Sequence, residues 1–263
     1  DSEDYENVSV KQRLQKMLDE DIEDVSEEPK WLPDKVLDDF QVDWFRAYNS
    51  YIDGELPDKL ARPFEKYNLT PQTCTTFELG YDRLTDRITI PRRNFKGQLI
   101  EVKGRSADND DYPKYLGLGN REWKEDYKFP RIKDTSLVFG LDTATPELII
   151  CEGEFVALYM RQLGFTGSVA IGTSKISEKQ LKNILNKAER ATILFDPDDA
   201  GYEGAEQAID LLYGNIPVTI ALLHSPDPEK ISKSEMEGII KNANTPLEFK
   251  KFYKEHKVTS QEN

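Results

Sequence analysis

Two short acidic runs hold the residues whose types and spacing invite chemistry. In "ATILFDPDDAGYEGAEQAIDLL", Ala191 to Leu212, an apolar run enters Asp196, Asp198 and Asp199, turns at Gly201 and continues with helical spacing. Upstream, "ELIICEGE" ends on Glu152 and Glu154 around Gly153. Carboxylates crowded at strand ends repel one another unless a positive charge sits among them. An all-oxygen set of this kind suits Mg2+ or Mn2+, held by one or two carboxylates, water and substrate phosphates. In an extended stretch, positions two apart point the same way, so Asp196 and Asp198 are expected to aim together at a point beside Glu152. Gly153 has no side chain, which leaves the backbone room to turn and to admit a phosphate or a cation. Either run alone reads equally well as helix-capping or loop acids. Their occurrence at matching strand ends favours the metal.

The elements that must position these acids follow from periodicity. From Pro146 the chain alternates buried strands and helices: "ELIICEGE", "FVALYMRQLG", "SVAIGT", "SEKQLKNILNKAE" with Ser177 as its cap, "ATILF", "GYEGAEQAIDLLYG" and "PVTIALL". That rhythm predicts a parallel sheet covered on both faces, with ligands beyond the carboxyl ends of its strands. Upstream, "LARPFEKYNLTPQTCTTFELGYD" reads as two short helices, the second capped by Thr70 with Pro71 at its first position. "RITIPRRNFKGQLIEVKGRS" alternates around a turn at Asn94 to Gly97, a β-hairpin pattern. The fold class is therefore α/β. Residues 1–30 read as an acidic linker, 31–142 as an α+β subdomain with a basic hairpin, 143–225 as the parallel-sheet subdomain and 226–263 as a helical segment.

Charge is unevenly spread. The chain of 263 residues carries −14, and residues 1–30 supply half of it with eleven acids against four bases. Seven bases (Arg87, Arg92, Arg93, Lys96, Lys103, Arg105, Lys114) crowd the hairpin and the loop after it. A local basic patch binds phosphate even in an acidic protein, although Lys and Arg also populate ordinary solvated faces. Cys74 and Cys151 form no C-x-x-C pair, so no zinc site is expected and a reducing, cytoplasmic setting is. No stretch approaches the ~20 apolar residues of a membrane span, and no signal peptide is visible. The first residue is Asp, so the chain reads as an excised piece of a longer protein.

E-G at one strand end followed by D-x-D-x-A-G at another resembles the TOPRIM fold, shared by bacterial-type primases, type IA and II topoisomerases, OLD-family nucleases and RecR-type proteins. The upstream half is similar to the primases among these. "FEKYNLTPQTCTTFELGY", "DRITIPRRNFKGQLIEVKGRS", "YPKYLGLG", "FPRIKDTSLVFGLDTA" and "SVAIGTSKISEKQLKNI" resemble successive segments of the RNA-polymerase domain of DnaG-type bacterial and phage primases. The resemblance implies synthesis of short RNA primers on single-stranded DNA from NTPs, with Mg2+ or Mn2+ on Glu152, Asp196 and Asp198. Asp199 and Glu154 are supporting acids, and Asp227 and Glu229 fall where the family has a further acidic pair. It also implies that Arg87, Arg92, Lys96, Lys103, Arg105 and Lys114 hold triphosphate or template backbone, with Arg87, Lys96 and Lys114 on the family's basic positions. A replicative helicase is an expected partner, through regions outside this chain. One departure stands out: the family places an acid four positions after the glutamate of E-G, where this chain has Val156. Two rival readings remain: a TOPRIM nuclease on the same metal site, and a catalytically weak scaffold that docks a replication partner.

Overall fold

The computed structural model describes residues 31–38, 40, 41, 69–83, 85–106, 113–118, 134–225 and 227–261. Period-two alternation pairs β2 (Arg87–Arg93) with β3 (Leu99–Ser106) as an antiparallel hairpin. Its turn closes because Asn94 Oδ1 accepts the Lys96 and Gln98 N–H groups, while Gly97 takes a φ of +79° that side chains resist. Two short strands widen the hairpin into a sheet ordered β1-β2-β3-β4: β1 (Gly80–Asp82) pairs with β2, and β4 (Tyr115–Gly117) with β3. Pro91 is tolerated because β1 pairs only with Arg87 to Thr89, so its missing N–H interrupts no ladder on that side. Before β1, α1 (Pro71–Thr76) begins at Thr70, whose side chain accepts the Thr73 N–H. The companion helix expected N-terminal to α1, like the acidic opening, falls outside the described residues.

The second sheet is parallel, in the order β6-β5-β7-β8: β5 (Glu147–Cys151), β6 (Ser168–Ala170), β7 (Arg190–Leu194) and β8 (Val218–Ile220). Crossover helices α2 (Glu154–Gln162), α3 (Glu178–Lys187) and α4 (Asp199–Leu212) join successive strands. α3 starts with a full capping box, in which Ser177 and Gln180 satisfy each other's backbone N–H groups. Alternation sorts β5 onto two cores. Leu148 and Ile150 face α3, α4 and the terminal helix α6 (Pro246–Gln261), through Leu181, Ile184, Ala208 and Phe249. Ile149 and Cys151 face α2, α5 (Lys233–Lys241) and the upstream sheet, through Leu158, Met236, Ile88 and Ile90. Each fully buried side chain of this size contributes about 1.5–3 kcal/mol, and truncating Ile150, which has no exposed surface, costs about 2–5 kcal/mol. Because Ile88 and Ile90 share a core with Ile149, the two sheets pack as one body across the division expected near residue 142. Among the described residues, no helix is long and apolar enough to cross a membrane.

Candidate metal and nucleotide site

Sheet register brings the two acidic runs together. Cys151 of β5 pairs with Leu194 of β7, so Glu152 and Asp196 leave neighbouring strands at the same edge. There the Asp196 N–H donates to Glu152 Oε1 at 2.9 Å. Asp198 keeps an extended backbone, and the chain turns into a helix directly after it. The Asp198 N–H closes back onto the Asp196 carbonyl at 2.9 Å, and Asp198 becomes the N-cap of α4, accepting the Gly201 N–H at 2.8 Å. Pro197 and the start of a helix force this turn, and the positive end of α4 favours the Asp198 charge. Gly201 makes the close approach possible: a Cβ there would stand 2.1 Å from the Asp196 carbonyl and 2.9 Å from Glu152 Oε1.

Glu152 carries the electrostatic cost of this crowding. Burial, followed by the charges of Asp196 and Asp198, pushes its carboxyl up to about 7 against the opposing hydrogen bond from the Asp196 N–H. Among the described residues no three His, Cys, Asp or Glu side chains are grouped to hold an ion. Glu152 and Asp198 each commit one oxygen to a backbone N–H instead. The donor chemistry nevertheless fits Mg2+ or Mn2+. It consists of hard oxygens at a strand edge, one bearing a charge that its surroundings disfavour, above a cradle that only glycine leaves open. Glu152 and Asp198 each keep a second oxygen for an ion.

The remaining acids have other partners. Asp199 is exposed, with His256 Nε2 3.5 Å away. Asp227 accepts from Lys230 Nζ at 2.7 Å beside a single 3-10 turn, Pro228–Lys230, and the Glu229 side chain lies outside the described residues. Glu154 is not part of the carboxylate edge. It opens α2 with 1 % of its surface exposed and pairs with Lys103 Nζ at 2.7 Å and Arg92 Nε at 3.8 Å. Val156 is packed against the core shared by the two sheets.

The cations of the basic hairpin differ in exposure: Arg87 and Arg105 are buried, Arg92, Arg93 and Lys103 are partly buried, and Lys96 and Lys114 are exposed. Arg87 is 6 % exposed and donates to the Lys114 carbonyl at 3.1 Å. Arg105 is 2 % exposed, its guanidinium 4.7 Å from the centre of the Phe155 ring. Arg92 donates to Glu101 and the Leu137 carbonyl, Lys103 lies 4.3 Å above the Tyr115 ring, and Arg93 is held by Glu78 and Asp34. The reason is register: Lys103 and Arg105 stand opposite Ile90 and Ile88, residues of the shared core. Lys96 and Lys114 are the two expected phosphate-binding cations that the structure leaves exposed.

Residues 149–231 match the family described as Toprim-like. The chain is 35 % identical over 142 residues to a DNA primase of Deinococcus radiodurans, covering 51 % of this chain and 23 % of that protein. It is 28 % identical over 187 residues to a DNA primase of Listeria monocytogenes, covering 68 % and 27 %. Among solved structures, the Aquifex aeolicus primase (zinc-binding and RNA polymerase domains) superposes with a TM-score of 0.63 at 20 % identity, over 92 % of this chain and 63 % of that one. The E. coli primase catalytic core gives a TM-score of 0.63 at 17 % identity, over 82 % and 80 %. The chain has the fold of a DnaG-type primase core with its TOPRIM module. It spans about a quarter of the length of the curated relatives it matches.

Within this primase-type core, two features escaped the sequence reading. One is Glu154 as the counter-charge to the hairpin. Its signal was present in the unmatched cations Arg92 and Lys103, but only tertiary packing pairs them. The other is a groove of about 670 Å³ bounded by Arg92, Glu101, Gly172, Thr173, Lys175 and Ser177. The Gly172 N–H donates to the Glu152 carbonyl at 2.8 Å, which places the groove next to the carboxylate edge.

Proposed function

We propose that this chain is the catalytic core of a DNA primase, a nucleotidyltransferase that joins ribonucleotides into short RNA on a single-stranded DNA template. The observation that carries the reading is the meeting of Glu152 with the Asp196 segment at one strand edge, where the charges of Asp196 and Asp198 both act on Glu152. Glu152, Asp196 and Asp198 would hold Mg2+ or Mn2+. When bound, such an ion lowers the pKa of the attacking 3′-hydroxyl and offsets charge on the phosphate and leaving group. The chain's own residues do the rest. Arg92 and Lys103, on the hairpin, would meet the nucleotide phosphates. Gly172, at φ +77°, gives the backbone beside those cations a conformation that side chains resist. The exposed Lys96 and Lys114 meet the template backbone, with the salt-dependent affinity typical of such contacts. The relatives named DNA primase, and a solved primase catalytic domain described as bound to single-stranded DNA, support this substrate class. A replicative helicase would dock through regions beyond this chain, and the enzyme would work in the cytoplasm.

Incubation with single-stranded template, the four NTPs and Mg2+ or Mn2+ tests the proposal. Short RNA that requires Glu152 supports it. Degraded template would replace it with the nuclease reading, and neither product with the scaffold reading.

A further inference from the structure

Glu154 is a buried carboxylate outside the proposed metal set. It is bound at 2.7 Å by Lys103 and approached at 3.8 Å by Arg92, both from the hairpin. Arg92 continues to the Leu137 carbonyl, and Lys103 packs on Tyr115. Gly172, at φ +77°, passes over the same group: a Cβ there would lie 3.5 Å from Glu154 Oε1 and from Arg92 Nη2. A single carboxylate thus ties the β2–β3 hairpin to the start of α2, two residues from Glu152, with the β6–α3 loop alongside. Desolvation offsets much of the attraction in a buried ion pair, so this one is poor evidence for stability and better evidence for fixed geometry.

We infer that Glu154 is a positioning residue, holding the cationic face of the β2–β3 hairpin in one placement against the Glu152–Gly153 turn. The inference rests on the primase reading, in which nucleotide phosphates touch both the hairpin and the carboxylate edge. A misplacement of about 1 Å between such groups lowers rates on the order of 100-fold.

Glu154→Gln keeps the side chain's size and an oxygen for Lys103 but removes the charge that fixes both cations. Two readouts separate positioning from packing. Spin labels on Phe95→Cys at the hairpin turn and Lys179→Cys on α3, both exposed, report the hairpin-to-sheet distance while the native cysteines stay buried. The inference expects a broadened or shifted distance distribution in E154Q. It also expects at least a roughly tenfold lower kcat/KM for NTP with unchanged Mn2+ affinity, since Glu152, Asp196 and Asp198 are intact. A lower denaturation midpoint with unchanged distances and unchanged kcat/KM in the folded protein overturns it. Should E154Q fold poorly, E154Q/K103M removes the uncompensated charge and carries the same distance measurement. That measurement needs no RNA synthesis, so a wild-type protein that makes no primer refutes the primase reading without deciding the role of Glu154.

Discussion

Glu152→Gln is expected to stabilise the metal-free protein at pH 8. Burial and the charges of Asp196 and Asp198 hold the wild-type carboxyl at about 7 instead of 4.5. An acid with a raised folded pKa binds its proton more tightly in the folded state. Ionisation therefore costs stability progressively as pH rises from 4.5 to about 7, and the cost is constant above that. At ~1.36 kcal/mol per pH unit this interval corresponds to roughly 3 kcal/mol. The carboxyl is only half-buried, and solvent screening reduces the figure to about 1–2 kcal/mol. Gln retains an oxygen for the Asp196 N–H and carries no charge, so that amount returns at pH 8, an upward shift of roughly 2–8 °C in Tm. Urea unfolding in chelator, at pH 8 and at pH 5, measures it. The variant should exceed wild type at pH 8, with the gap narrowing toward pH 5. No gain at pH 8, or an equal gain at both, refutes the reasoning. With Mn2+ added at ten times its Kd, wild type should gain ~1.4 kcal/mol and E152Q less.

Gly201→Ala places a Cβ where only 2.1 Å separates it from the Asp196 carbonyl, so α4 must shift. A loss of about 1–3 kcal/mol is expected in urea unfolding, and a wild-type midpoint would contradict the close approach. Ser177→Ala removes the hydroxyl that caps α3 and should cost about 1 kcal/mol by the same assay. Burial pushes the Cys74 thiol up to about 12 and drives Cys151 higher still. A thiol reagent at pH 8 should therefore label neither cysteine in the folded protein and both after denaturation, and rapid labelling of the native state would count against this core.

What the sequence revealed follows from where local rules decide the structure. The caps at Thr70 and Ser177, the turn at Asn94 to Gly97 and the alternating strands and helices after Pro146 depend on neighbours a few residues apart, and the structure has them. The meeting of Glu152 with Asp196 was also legible, because parallel strands of similar length end at a common edge. The strands Gly80–Asp82 and Tyr115–Gly117 were not, since three residues carry no measurable period. The helix-capping role of Asp198 was not legible, because a cap and a strand-end acid look alike in sequence, although its charge does reach Glu152. The partners of the hairpin's cations were not legible, because they come from distant segments. Nothing local in "RRNFKGQLIEVKGR" announces that Glu154, some fifty residues on, pairs with Lys103 and Arg92.

The most direct test of the whole account is to crystallise the protein with Mn2+ and locate the ions by anomalous scattering. Density coordinated by Glu152 together with Asp196 or Asp198, with Glu154 still on Lys103, is the predicted result. Mn2+ bound elsewhere while Glu152 still holds the Asp196 N–H would contradict it.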